Sequence, residues 1–218
     1  MGKGAVMTKE LSYIFKKYGG VWPNKLPIEI PNTGRFELTK LFAELGYKVG
    51  VEVGVEQGLY SETILENNPG SSLFLVDPWL AYPGYREHVS QEKLDGFLEI
   101  TKNRLQGHDF RVVRKPSIEA AKDFPDNSID FVYIDGNHEF SYVVADICAW
   151  YPKVRSGGIV AGHDFISRRD PKLNMHVPEA VRGFTSAYQI NPWFILGRKD
   201  KRPGELRDNT RSWFFVKE

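Results

Sequence analysis

The chain has 218 residues, enough for a full hydrophobic core and, at roughly 150 residues per domain, for one domain with some elaboration. Its 41% hydrophobic and 26% charged content is that of a globular protein, and no apolar run reaches the ~18 residues needed to span a bilayer, so a membrane partner is not expected. Twenty-nine basic against 28 acidic side chains leave a net charge of +1, too little for the bulk field to favour nucleic acid.

The opening MGKGAVMTKE lacks the apolar core of a secretory signal, and Val6 stands where an N-myristoylation pattern wants Ser or Thr. The closing SWFFVKE is not a prenylation box. Cys148 is the only cysteine, which excludes an intrachain disulfide and makes a reducing, cytoplasmic setting the expectation.

After the Pro-rich segment VWPNKLPIEIPNTG, strand-like runs alternate with helical periods. KVGVEV (48–53), SLFLVD (72–77), FRVVRK (110–115), IDFVYID (129–135) and GGIVAGHD (157–164) are short, apolar and rich in Val, Ile and Phe, as buried parallel strands are. Between the last two, Phe140, Val143, Val144, Ile147, Trp150, Tyr151 and Val154 form one helical stripe, with Cys148 beside it as a buried, inert thiol. The alternation predicts βαβ units and an α/β three-layer sandwich. Past a helix over VPEAVRGFTSAYQI, the runs WFILGR and RSWFFVK predict a terminal antiparallel pair. The mixed-sign runs 166–170 and 197–208 read as solvated loops. Residues 1–218 are expected as one domain, with 1–35 as an N-terminal extension. Segments 78–109 and 165–192 exceed a minimal connection and follow carboxyl ends of strands, where ligands bind in open α/β sheets, so both are candidate lids. Trp79, Tyr82, Tyr85 and Phe97 of the first are candidates for a substrate wall.

Two constellations carry chemistry. Glu52 ends the first run, and Gly54 and Gly58 follow it, one suited to a tight turn and the other to a helix start close to a ligand. Val55 and Glu56 occupy the place where a dinucleotide fingerprint would carry its second glycine, and Glu56 would repel a pyrophosphate, so a cationic or neutral ligand is expected. Asp77 closes the second run, where a carboxylate can accept both hydroxyls of a ribose; taken alone, before Pro78, it reads as a turn residue. The second constellation is Asp135, His138, His163 and Asp164, with the two carboxylates predicted at the ends of adjacent strands. Two hard oxygens suit Mg²⁺, whereas imidazoles favour Mn²⁺, Fe²⁺ or Zn²⁺. Alone, His138 would cap or pack against the following helix, His163 would bond within a loop, and His176 would be an exposed residue before a helix.

The segments VEVGVEQG, LVDPW and FVYIDGNHEFSYVVADICAWYPKVRSGGIVAGHDF together resemble class I S-adenosylmethionine (SAM)-dependent methyltransferases, in particular the small-molecule O-methyltransferase-like branch grouped with macrocin O-methyltransferase. The resemblance covers about 48–164. It implies a Rossmann-like, seven-stranded, mostly parallel sheet with an antiparallel C-terminal strand. It also implies that Glu52, Gly54 and Gly58 line the methionine moiety, that Asp77 holds the ribose, that Ser117 lies near the adenine and that Asp135 stands close to the methyl group. Metal-dependent relatives place acids at the corresponding strand ends, so Asp135 and Asp164 are the candidate ligands for Mg²⁺ or Mn²⁺, although His163 beside Asp164 and GNH after Asp135 depart from the commonest pattern.

The expected function is methyl transfer from SAM to a small-molecule acceptor, at a hydroxyl oxygen, with Asp135 and a metal or one of His138 and His163 handling the acceptor proton. A metal-dependent hydrolase or oxygenase built on the Asp and His cluster is the alternative, and it leaves Glu52, Gly54, Gly58 and Asp77 idle. A non-catalytic nucleoside-binding module is a third. A homodimer is the default assembly.

Overall fold

A computed structural model describes residues 7–19, 26–81, 90–170 and 173–218 of the chain. In chain order its elements are α1 (Lys9–Tyr18), β1 (Ile28–Ile30), α2 (Arg35–Glu44), β2 (Val49–Val53), α3 (Leu59–Asn67), β3 (Ser72–Val76), α4 (Gln91–Arg104), β4 (Phe110–Val113) and α5 (Ser117–Ala121). They continue with β5 (Ile129–Ile134), α6 (Phe140–Trp150), β6 (Val154–Gly162), β7 (Ser167–Asp170), β8 (Leu173–His176), α7 (Val177–Ala187), β9 (Phe194–Leu196) and β10 (Trp213–Val216).

Among the described residues, eight strands form one sheet in the order β1-β9-β10-β6-β5-β2-β3-β4. All neighbours pair in parallel except β10, which runs antiparallel to both β6 and β9. This is the Rossmann-like α/β class expected, with its reversed last strand. The strand count is a correction: eight rather than seven, because the Pro-rich N-terminal segment contains β1, which pairs with β9 through Ile28↔Phe194 and Ile30↔Leu196. A separate antiparallel hairpin, β7–β8, lies inside the segment 165–192.

Side chains alternate across the sheet, and each face carries its own core. Phe131 and Tyr133 of β5 and Phe214 of β10 face the layer of α1, α2, α3 and α4, where Ile14, Leu38, Phe42, Ile64 and Leu98 are buried. Val132 and Ile134 of β5 and Phe215 of β10 face α5, α6 and α7, where Ala120, Ile147, Trp150, Val181 and Phe184 are buried. Gly50 of β2 is required on the first face, because a Cβ there would lie 2.1 Å from the Phe131 ring, which stacks on Phe42 at 4.0 Å. Two residues on, Glu52 therefore points into the same layer, toward α3.

Helix α6 departs from its predicted stripe at both ends. Phe140 is 49% exposed, and Val154 already belongs to β6. Cys148 is exposed rather than buried. The loop before β10 reaches back to the N-terminal layer: Asp208 accepts the backbone N–H of Arg35 at 2.7 Å, across 173 residues of sequence. No helix among the described residues is long and apolar enough to cross a membrane.

Candidate functional site

Strands β2, β3, β5 and β6 point their carboxyl ends at one cavity of about 690 Å³, lined from both layers. Five of the six residues expected against a cofactor border it: Glu52, Gly54, Asp77, Ser117 and Asp135. Gly58 does not. Its positive φ of 72° makes the left-handed turn that starts α3, and a Cβ there would press on Thr101 of α4 at 2.9 Å, so this glycine serves helix packing. Gly54, at φ 84°, is needed for a similar internal reason. A Cβ would sit 2.2 Å from the Asp135 carbonyl oxygen, so the glycine lets the ends of β2 and β5 close on each other at the cavity floor.

Glu52 is 2% exposed and accepts a short hydrogen bond from the Ser61 hydroxyl of α3. Burial pushes its carboxyl up to about 8, against the pull of that bond. A carboxyl so poorly supplied with partners, at the edge of a cavity, suits a ligand that brings positive charge. Asp77 is differently engaged. Its Oδ2 accepts the N–H groups of Val55 (3.0 Å) and Glu56 (3.1 Å), and its Oδ1 that of Trp79 (2.8 Å). Burial raises its pKa while these three bonds oppose the rise. Of roughly four lone-pair positions on a carboxylate, three are taken by the loop it holds.

The second constellation is assembled at the ends of β5 and β6, whose register pairs Ile134 with Gly162. His138 Nε2 lies 2.9 Å from Asp164 Oδ2 and 3.5 Å from Asp135 Oδ1, and His163 Nδ1 lies 3.7 Å from Asp135 and 3.6 Å from Asp164. Asp164 reaches this position from a left-handed backbone, φ 52°, which aspartate tolerates better than most residues. Burial alone would lower both histidine pKa values, but the two carboxylates outweigh it and raise them. Burial alone would raise Asp164, and the histidines hold it well below the usual carboxylate range. Ligand atoms of Asp135, His138 and Asp164 all lie within 4.8 Å of one another, a spacing that one divalent cation can bridge. Two oxygens and one imidazole fit Mn²⁺ or Fe²⁺ better than the all-oxygen shell of Mg²⁺.

Three other expectations resolve differently. His176, expected to be exposed, is half-buried before α7, and its backbone N–H supports the loop by donating to the His138 carbonyl at 2.9 Å. Trp79 is 1% exposed in the core, and Phe97 packs against that core, so neither walls the cavity. Tyr82 and Tyr85 lie outside the described residues.

Arg35, Tyr60, Tyr142, Asp146 and Asn174 border the cavity without having been singled out in the sequence. Arg35 of α2 is the one Lys or Arg among the described lining residues; its guanidinium lies 5.2 Å from the Tyr60 ring centroid and 3.8 Å from Asp135. Nothing in the pattern around Arg35 marks it. Asp146 did carry a signal: it falls in the row Val143, Asp146, Ile147, Trp150, a charge on the core side of an amphipathic helix.

Among curated proteins, the chain is 24% identical over 168 residues to the uncharacterized protein R132 of Acanthamoeba polyphaga mimivirus, covering 73% of this chain and 71% of that one. It is 27% identical over 106 residues to the uncharacterized protein y4gI of Sinorhizobium fredii, covering 48% of this chain and only 11% of the relative's length. In fold it is similar to a putative caffeoyl-CoA O-methyltransferase from Staphylococcus aureus, with a TM-score of 0.59 at 13% identity over 96% of this chain and 92% of that one. It is also similar to an O-methyltransferase from Bacillus cereus solved in complex with SAH, with a TM-score of 0.54 at 13% identity over 96% and 91%. A family model described as a methyltransferase domain matches residues 51–165, over half of the chain and the run from within β2 to beyond the end of β6, and the chain accordingly belongs to that methyltransferase-domain family.

Proposed function

We propose that the chain moves the methyl group of SAM onto a hydroxyl oxygen of a small-molecule acceptor. The observation that carries this reading is that the buried Glu52 and the Asp135, His138, Asp164 cluster open into the same cavity, one fit for the cationic end of the cofactor and the other for a reacting hydroxyl. SAM supplies an electrophilic sulfonium methyl, which leaves the protein to align donor and acceptor and to take up the acceptor proton. Glu52 and the turn at Gly54 bind the methionine end. Asp77 holds that turn in shape through its three backbone bonds and has one lone-pair position for the ribose. Ser117 lies at the base end.

At the reacting end, the nitrogen of His138 that lies between two carboxylates is placed as a donor, so Asp135 is the group placed to accept the acceptor proton. In the alternative, metal-bound arrangement, a divalent cation held by Asp135, His138 and Asp164 would replace the proton on that nitrogen and supply Lewis acidity at the acceptor oxygen, in place of proton uptake by a free Asp135. The hairpin β7–β8, whose Asn174 borders the cavity, is the part of segment 165–192 suited to a lid, since α7 is committed to the core through Val177, Val181 and Phe184.

Calorimetric titration of chelator-treated protein with S-adenosylhomocysteine tests the cofactor half, and micromolar binding is the expected result. Absence of binding would refute it. Mn²⁺ binding, followed by loss of its free electron-resonance signal, tests the cluster: Asp164→Asn is expected to abolish it while leaving S-adenosylhomocysteine bound. Equal Mn²⁺ binding by the parent and the variant would remove the metal from this proposal.

A further inference from the structure

Arg35, the one Lys or Arg among the described lining residues, has a fixed backbone and a side chain whose donors are unused. It is the first residue of α2, and three contacts hold its backbone in place. Its N–H donates to Asp208 Oδ2 at 2.7 Å, its carbonyl accepts the Tyr60 hydroxyl at 3.0 Å, and the N–H of the preceding Gly34 donates to Glu37 Oε2 at 2.9 Å. The side chain therefore leaves a fixed point. Its guanidinium lies 5.2 Å from the Tyr60 ring centroid, and its approach to Asp135 Oδ2, 3.8 Å, is too long for a hydrogen bond. Among the described residues the guanidinium donates no hydrogen bond, and the side chain is 39% exposed on the cavity it borders. His138 has no such freedom, since its Nε2 stands between Asp135 and Asp164.

Resting on the methyl-transfer reading above, we infer that the acceptor is a hydroxy acid whose carboxylate is bound by Arg35 while its hydroxyl lies at Asp135. The observation is a guanidinium with unused donors, 3.8 Å from the group placed to take the acceptor proton. Paired N–H donors on a guanidinium match the two oxygens of a carboxylate. The rest of the lining limits the charge of the group. Asp77, Asp135, Asp146 and Asp164 border the same cavity, so a monoanion meets its one cation, whereas a phosphate dianion would bring a charge that no second Lys or Arg of the described lining balances. SAM carries a carboxylate of its own at its methionine end. That end belongs to Glu52 and the Gly54 turn, whereas Arg35 makes its ion pair with Asp135, at the reacting end.

The test uses chelator-treated protein saturated with S-adenosylhomocysteine and follows, by calorimetry at neutral pH, the binding of 3-hydroxybenzoate and 4-hydroxybenzoate beside their uncharged amides. The parent is expected to bind at least one acid about 10-fold more tightly than its amide, the scale of a hydrogen bond to a charged group. Arg35→Gln is expected to bring that ratio to within about 3-fold by weakening the acid alone. Arg35→Lys, which keeps the charge without the planar fork, is expected to restore part of it. A distorted variant would lose the amide along with the acid and could not change the ratio in this way. A parent that prefers neither acid overturns the inference, as does a Gln variant that keeps the parent's ratio. S-adenosylhomocysteine itself is expected to bind the parent and Arg35→Gln equally; a loss of about 10-fold in the variant would assign the guanidinium to the cofactor's own carboxylate and overturn the inference. Failure of S-adenosylhomocysteine to bind the parent at all would overturn the methyl-transfer reading and this inference with it, whereas tight binding with no preference for an acid overturns the inference alone.

Discussion

Glu52 is a carboxyl the fold holds out of water, and its cost is readable as a pH dependence. In the native state its pKa is about 8, against an ordinary value of 4.5 that the unfolded chain regains. Between those two values the folded protein keeps a proton that the unfolded chain has released, so this group's contribution to stability is greatest below about pH 4.5 and falls as pH rises toward 8. Replacement by Gln, which keeps the hydrogen bond to Ser61 within reach and cannot ionise, removes that slope. Urea unfolding at pH 5 and pH 8.5 is expected to show the ligand-free parent losing a few kcal/mol relative to Glu52→Gln between the two conditions. A difference between the two proteins that does not move with pH would show that this carboxyl does not titrate in that window. The same residue is why the first constellation was legible: a lone acid in an apolar strand has either a partner or a ligand, and here Ser61 is a modest partner.

At the scale of elements, the segment before β2 is part of the fold's interior. Ile14 of α1 is fully buried in the same cluster as Phe42 and Phe131, and Leu11 lies beside it. Ile14→Ala is therefore expected to cost about 2–5 kcal/mol in urea unfolding, the range for deleting a buried aliphatic side chain; a cost below about 1 kcal/mol would mean that α1 is only laid on the surface. The β-strands from 49 to 162 were legible because each is a short, doubly covered run of Val, Ile and Phe. Strand β1 was not. Ile28, Glu29 and Ile30 stand between prolines, too few residues to show a period, and their partner strand begins at Phe194. Nor was the hairpin β7–β8, since Ser-Arg-Arg-Asp has no apolar face to alternate. The helix α6 stripe was read correctly in its middle and wrongly at its two ends, since Phe140 in the first turn is exposed and Val154 is the first residue of β6.

On the scale of the molecule, the cavity is bounded by strand ends from the middle of the sheet and by helices of both layers: Arg35 and Tyr60 from one, Tyr142 and Asp146 from the other. A ligand seated there contacts groups whose positions depend on both cores, so its binding energy adds to the stability of the folded whole. Saturation with S-adenosylhomocysteine at about 100 times its dissociation constant is expected to raise the unfolding free energy by about 2.7 kcal/mol and the midpoint of thermal unfolding accordingly. A bound ligand that left the midpoint unchanged would mean that the unfolded chain binds it equally well. The site's carboxylates were legible because Asp135 and Asp164 follow recognisable strands, while Arg35 was not, since only the folding of α2 over the sheet brings it to the cavity.

The sheet order also sets a schedule. Of the described strands β1 is made earliest, yet its strand partner is β9, and β9 joins the rest of the sheet through β10. Asp208, which accepts the N–H of Arg35 at the start of α2, is made 173 residues after it. At a synthesis rate of about 5–20 residues per second, the first strand waits for roughly 10–35 s beside a ribosome before its neighbour exists. Through that interval the central strands can already pair with one another, and the edge nearest the N-terminus is the last to be sewn in.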